Sequence, residues 1–523
     1  MRILFCLLLG VVVAGSGCNN GRKGGGQLDG GNNNNSDMGP DPNGGDPTTC
    51  ADAAALKTYV GCDYWPTVTF NPVWSIFDFA VVVSNPGTEP ATITVDGAAH
   101  RTATVQPGQL VRIYLPWVTA LKGPDQDLLG STTPPTASVL ARGGAYHLVS
   151  SVPVLVYQFS ALEYQGQGGP TGKSWASCPG LTSGIGCFSF TNDASLLIPS
   201  TAMTGNYRVV TNHGITGIPG YFAITATADG TSVRVRASAT SSIVAGTGVK
   251  AVAAGAETTL TLDAGDVVEL IGDANTGADL SGSLVQASGP VQVIGGMSCF
   301  ANPTNACDHI EETVLPAETW GKRYAVTTPT GPMGTAAPVT VRFVGNVDGT
   351  TLTYTPKVTG APATLDAGDV VELVTVNSDF IVEGDNSFSV STIQKSASVV
   401  DPGMTGMEKG DPSLSAMVAI EQYRNKYVFL APTDYDANFA DVVAPTGASL
   451  TLDGAKVTTA GKAISTSGMS TFRISLRAGL NDGAHTLVSD QPFGLQIIGY
   501  GSYTSYQYPG GLNLSAISAP PIF

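Results

Sequence analysis

Short runs in which apolar and polar residues alternate recur along most of this chain, separated by turns rich in glycine and aspartate. Examples are FAVVVSN from Phe79, ATITVDG from Ala91, QLVRIYLP from Gln109 and TSVRVRA from Thr231. In the last, Val233 and Val235 fall on one face and Arg234 and Arg236 on the other, the period-two signature of a half-buried strand. Asp-Gly pairs begin at Asp96, Asp229, Asp348 and Asp453. They predict hairpin turns, because a tight two-residue hairpin needs positive φ at both central positions. Strands spaced roughly 8–12 residues apart with turns between them predict β-sandwiches. Helix should be slight, limited to a turn near Ala51 to Thr58.

The pattern repeats on a longer scale. Leu262–Leu270 and Leu365–Leu373 both read LDAGDVVEL, at a separation of 365 − 262 = 103 residues. Asp229 opens DGTSV and Asp348 opens DGTTL, an offset of 348 − 229 = 119. The difference, 119 − 103 = 16, fits an insertion in the earlier copy within Ala239–Ala256. Tyr207 follows Pro199 by eight residues and Tyr324 follows Pro316 by the same number. A common closing pattern recurs around Pro153, Pro290, Ser387 and Pro492. The expected architecture is all-β, with about four tandem sandwich-like units: 50–165, 191–299, 300–400 and 401–523. A Gly- and Cys-rich excursion, 166–190, separates the first two. A propeller fits less well, since its blades usually run about 40–50 residues.

At the N-terminus, Arg2 precedes an apolar run Ile3–Ala14, then Gly15, Ser16, Gly17 and Cys18. A charged start, a short apolar core and small residues predict a secretory signal over 1–17, too short to span a bilayer. Cys18 directly after it resembles the acylated cysteine of bacterial lipoproteins, although Gly15 stands where that pattern usually has Leu. Asn19 and Asn20 replace the aspartate associated with inner-membrane retention, so the resemblance implies an outer-membrane or cell-surface lipoprotein. Residues 18–49 are Gly, Asn, Asp and Pro with almost nothing apolar, a composition that cannot offset ordering entropy. They predict a flexible tether with a reach of about 30 Å.

Charge and cysteine narrow the class. The net charge is −16, only 13% of residues are charged, and Lys and Arg are scattered singly, which excludes a phosphate-tracking nucleic-acid surface. No later apolar stretch reaches bilayer length, so membrane contact is expected through the lipid alone. Of eight Cys, Cys6 lies in the signal and Cys18 at its end. The other six form close pairs, Cys50 with Cys62, Cys178 with Cys187 and Cys299 with Cys307. In an oxidising compartment these predict three local disulfides, each worth roughly 2–3 kcal/mol. None has zinc-knuckle spacing, and no metal or other cofactor is expected.

Catalytic patterns are sparse. None of His100, His147, His213, His309 and His485 lies in an HExxH arrangement, and no GxSxG elbow or phosphate loop follows a strand. One polar cluster stands out: Asp308, His309 and Glu311, beside Cys307 and Glu312. A histidine among carboxylates could bind a cation or move protons. The expectation favours an acidic, disulfide-pinned junction in which His309 is structural. Asp411, Glu421, Asp434 and Asp436 are acidic residues near aromatics, without a DxDxDG loop. Trp320, in LPAETWGKRY, reads as core. Trp175 lies in the long excursion Gln165–Gly186, and functional loops concentrate in such excursions, so this is the candidate binding loop.

Three segments carry a family resemblance: SGSLVQASGPVQVIGGMSC from Ser281, CDHIEETVLPAETWGKRYAVTTP from Cys307 and DPSLSAMVAIEQYRNKYVFLAP from Asp411. They resemble the N-terminal domain of the IgGFc-binding protein family, and the similarity runs from roughly Val68 to Tyr506. The resemblance implies protein or glycan binding outside the cell, without catalysis. Nothing in the motifs carries the antibody ligand across. The reading that follows is a lipid-anchored surface binding or adhesion protein. The competing reading is an extracellular hydrolase or carbohydrate-active enzyme using Asp308, His309 and Glu311.

Overall fold

The computed structural model describes residues 46–126, 133–215, 217–275, 277–303, 307–403, 406, 408–476 and 483–521. Cys18 and the signal and tether region before residue 46 lie outside the described residues.

The described strands fall into four runs. The first holds β1 (Gly61–Tyr64), β2 (Phe79–Ser84), β3 (Ala91–Asp96), β4 (Arg101–Val105), β5 (Leu110–Leu115), β6 (Ser138–Ala141), β7 (His147–Ser160) and β8 (Asp193–Leu196). The second holds β9 (Asn206–Arg208), β10 (Gly220–Ala226), β11 (Thr231–Arg236), β12 (Gly246–Thr247), β13 (Glu257–Leu262), β14 (Val267–Ile271), β15 (Leu284–Ala287), β16 (Val291–Phe300) and β17 (Asp308–Thr313). The third holds β18 (Arg323–Val326), β19 (Val339–Gly345), β20 (Thr350–Thr355), β21 (Thr364–Leu365), β22 (Val370–Val376), β23 (Phe380–Gly384), β24 (Phe388–Gln394) and β25 (Leu414–Ala416). The fourth holds β26 (Arg424–Leu430), β27 (Ala437–Pro445), β28 (Leu450–Leu452), β29 (Ala455–Lys456), β30 (Lys462–Ala463), β31 (Met469–Leu476), β32 (Ala484–Gly501) and β33 (Thr504–Pro509).

One wiring diagram repeats through all four. An outer sheet has the order β4-β3-β7-β1, then β13-β11-β15-β9, β21-β20-β23-β18 and β29-β28-β32-β26. An inner sheet has the order β5-β2-β7-β8, then β14-β10-β16-β17, β22-β19-β24-β25 and β31-β27-β32-β33. The long strands β7 and β32 serve both sheets of their units. The fold is all-β and built of sandwiches, as the alternating runs predict.

Burial separates the two kinds of sheet. In the outer strand β11, Thr231, Val233 and Val235 are buried while Ser232 faces solvent. The central inner strands β2, β10 and β19 are buried at every position. A sheet covered on both faces needs apolar side chains in both directions, which explains the unbroken FAVVV of β2. The two middle units each have a private core, one around Phe222, Ile224 and Val235, the other around Phe343, Phe380 and Val390. The first and last units share one core. Tyr157 donates to Val428 O at 3.1 Å and packs its ring at a tilt against Tyr508, centroids 4.8 Å apart. The short helix Cys50–Leu56 begins with a Thr49–Asp52 capping box. Tyr59 N then donates to Leu512 O at 3.3 Å, so the start of the folded body is tied to its end.

Two of the four Asp-Gly pairs named above depart from the hairpin expectation. Asp453 and Gly454, with φ of 50° and 78°, turn β28 onto its partner β29, and Asp96-Gly97 leads β3 into β4. Asp229-Gly230 and Asp348-Gly349 instead pass the chain from the inner to the outer sheet. Only the glycine takes positive φ there, 66° in both, and the aspartate is engaged elsewhere. Asp229 Oδ1 accepts from Ala264 N at 3.0 Å, and Asp263 Oδ1 accepts from Gly230 N at 2.9 Å. The third unit repeats the clasp with Ala367 N to Asp348 Oδ1 at 2.9 Å and Gly349 N to Asp366 Oδ1 at 2.7 Å. The LDAGD half of the repeat therefore fastens two loops to each other.

Disulfides join Cys50–Cys62, Cys178–Cys187 and Cys299–Cys307. Among the described residues, no helix is long and apolar enough to cross a membrane.

Candidate functional site

The last strand of each inner sheet meets the other three at the centre. β8 packs on β17 and β33, and β25 packs on the same two. Every residue of β17 is buried, so its polar side chains must find partners inside the protein. Glu311 Oε2 accepts from Thr69 Oγ1 at 2.6 Å and pairs with His309 Nε2 at 3.2 Å. Its Oε1 accepts from Gln158 Nε2 at 2.8 Å. Asp308 Oδ2 accepts from Thr504 Oγ1 at 3.2 Å. Asp193 Oδ2 accepts from the backbone of both Glu311, at 3.0 Å, and Leu414, at 3.1 Å. Glu312 Oε2 accepts from Ala416 N at 3.2 Å. Burial drives the Asp193 and Glu312 carboxyls well above the usual range, against the pull of these amide donors.

This hub pairs His309 with Glu311, leaves Asp308 on the other face of the strand bonded to Thr504, and seals all three, each at 0% exposure. The nearby pocket lined by Glu312, Leu414 and Trp320 has about 20 Å³ of space, room for a water and not for a substrate. Among the described residues no group of three or more His, Cys, Asp or Glu is placed to hold a metal. What the arrangement does is cross-link four strands from four units. Trp320 is buried, as its sequence context suggests.

Open space lies on the first unit instead. A groove of about 510 Å³ runs along β5, between Thr102 and Ala103 of β4 and the excursion at Gly169, Pro170 and Thr171. A second, of about 310 Å³, continues it past Arg112, Tyr114, Glu163 and Gln167 to Thr433 and Asp434 of the fourth unit. Arg112 Nη2 donates to Thr433 Oγ1 at 3.3 Å across that junction. The wall is braced by Lys173, which reaches Asp78 at 2.5 Å and Glu163 at 3.5 Å. Burial pushes the Glu163 carboxyl up to about 7 against the pull of Lys173, and burial raises Asp434 to about 6. The groove therefore gains negative charge across that pH range.

Trp175 anchors the excursion rather than lining the groove. Its ring lies 5.1 Å from that of Phe77, Lys173 Nζ sits 3.8 Å above it, and its indole N–H donates to Gly168 O at 3.2 Å. With the Cys178–Cys187 bridge this fixes the loop, whose residues 167–171 form the groove wall. Arg112 and Tyr114 were not singled out by sequence. The available signal was an arginine interrupting an apolar run, in QLVRIYLP.

Residues 193–499 match the model of a family described as IgGFc binding protein. A human protein named IgGFc-binding protein is 35% identical over 184 residues, which is 35% of this chain and 3% of the human protein's length. An anti-sigma factor domain-containing protein from Clostridium clariflavum aligns over 60% of this chain and 82% of its own, at 14% identity and a TM-score of 0.11. That score establishes no shared fold. The family match opens on the first residue of β8 and takes in the hub strands β17 and β25 and the fourth-unit wall of the groove, but not β5.

Proposed function

Because the chain belongs to the IgGFc-binding protein family, we propose that it is a non-catalytic binding protein of the cell exterior, recognising an extracellular protein through the β5 groove. The reading is carried by one contrast. The acid–base cluster Asp308, His309 and Glu311 is sealed from solvent, whereas the groove beside Arg112 and Tyr114 is open. A hydrolase needs its acid and base within hydrogen-bond reach of the substrate, so the enclosure supports binding over catalysis. An open groove walled by a pinned loop, with an arginine and a tyrosine at its floor, suits protein recognition.

The same proposal includes the N-terminal features. Cys18 is the acylation site after removal of 1–17, the tether expected over 18–49 ends short of Asp46, which Arg424 and Lys426 hold at 2.7 and 2.8 Å, and the body that follows is presented at the outer membrane. The expected units 50–165, 191–299, 300–400 and 401–523, with the 166–190 excursion, form that body, the first three each closed by a strand from beyond its expected end: β8, β17 and β25. The anchor holds the groove clear of the bilayer.

The test starts with immobilised full-length protein and the Fc fragment of immunoglobulin G as first probe, followed by a panel of extracellular proteins and a glycan array. Saturable binding to a protein probe, weakened at least tenfold by Arg112→Glu, is the expected result. Equal binding by the variant places the site elsewhere. Retention on glycans alone replaces the protein partner with a sugar.

A further inference from the structure

The two copies of LDAGDVVEL hold equivalent places in their units, and one has its outer edge covered while the other does not. β14 pairs with β10 on one side and β6 on the other, with Val267, Val268 and Glu269 opposite Ala141, Leu140 and Val139. β12, built from the 16-residue insertion, pairs with the far side of β6. β22 pairs with β19, and among the described residues no strand pairs with its other side. Burial follows. Val267 and Val268 are fully enclosed, whereas Val370, Val371 and Glu372 are half-buried and Val374 is 60% exposed.

An uncovered edge is a template for another strand, and proteins usually blunt it with Lys, Pro or a short length. β22 runs for seven residues, VVELVTV, without Lys or Pro, and keeps regular register with β19 over Val370–Leu373 before a shift toward Val376. Its single charge, Glu372, is drawn aside to Arg342 at 3.0 Å. We propose that this edge docks an extended segment of a partner protein by antiparallel strand addition, a recurrent mode of peptide recognition. The chemistry of the occupant follows from the repeat. The residues that hold Ser138-Val139-Leu140-Ala141 in the second unit are the same residues presented by the third. The partner segment is therefore uncharged, small at its ends and aliphatic between. The net charge of −16 sets a second copy of this chain at a disadvantage.

A synthetic end-blocked peptide of residues 136–141, TASVLA, is the probe, titrated into the full-length protein with amide hydrogen exchange as the readout. Saturable binding should slow exchange at least tenfold over Val370–Leu373. Neighbouring N–H groups point to opposite sides of a strand, so either Val139→Pro or Leu140→Pro in the peptide removes a donor facing β22. That peptide should bind at least tenfold more weakly. The proposal is overturned by an absence of saturable binding or by equal affinity of both proline peptides. Protection changes confined to Val267–Leu270, which would mean exchange with β6, overturn it as well.

Discussion

Leu262–Leu270 and Leu365–Leu373 are the same nine residues in two surroundings. Their first halves behave alike: each aspartate clasp ties the loop before the strand to an Asp-Gly turn, with matching donors and acceptors. Their second halves diverge. Glu269 lies beside Val139 of β6 and against the buried segment 65–71, accepting from Phe70 N at 2.8 Å. Glu372 faces the second unit, near His213 at 3.8 Å and bonded to Arg342. Hydrogen bonds closed within a few residues travel with a sequence; burial is conferred by whatever the rest of the chain lays on top.

The strongest way to break the third-unit setting is Arg342→Met. Arg342 is 1% exposed and joins Glu372 to Asp279, Ser281 and Asn212 across the unit boundary. Burial alone would push the Asp279 carboxyl up, but Arg342 and the Ser281 bonds hold it below the usual range. Removing one partner of a buried ion pair costs about 3–5 kcal/mol, so urea denaturation should show a loss of that size.

Glu269→Gln attacks the second-unit setting, and its effect depends on pH. Burial raises the Glu269 carboxyl from 4.5 to about 8. A carboxyl raised in the folded state gives stability that is whole below its unfolded pKa and lost as pH climbs through the folded one. Stability should therefore decline between about pH 4.5 and 8 in the native protein. The glutamine variant should lack that part of the slope, gaining about 2–4 kcal/mol at pH 9 relative to pH 5. Parallel slopes for the two proteins would remove Glu269 from this role.

Leu140→Pro within the chain converts one setting toward the other. Disturbing the β6 ladder should cost about 1–3 kcal/mol. Amide exchange at Val267–Glu269 should then accelerate toward the rate at Val370–Glu372. The smallest effect is expected from Val374→Lys, an exposed edge position, where thermal unfolding should register a change within about 0.5 kcal/mol.

Much of the plan was legible in the sequence. Alternation placed outer strands such as β11, and close cysteine pairs marked loops that the disulfides now pin. The apolar run of β2 was visible too, but its meaning required knowing that both faces of the inner sheet are covered. The inter-sheet role of Asp229 and Asp348 depends on amides 35 and 19 residues downstream, beyond the reach of turn rules. The loan of β6 to the second unit, and the Arg112–Thr433 contact across 321 residues, leave no local trace at all. The Asp308–His309 motif was conspicuous because buried polar clusters and catalytic ones use the same residue types; burial alone separates them.

The hub also sets an order of events. β8 finds β17 soon after both exist, but the Thr504 hydroxyl that meets Asp308, and the tyrosines that complete the shared core with Tyr157, come from β33 near the end of the chain. A polypeptide still emerging is expected to form its two private cores while its centre stays unfinished. Final closure waits for the last strand and joins contacts more than 300 residues apart, so assembly should be slow relative to the folding of either middle unit.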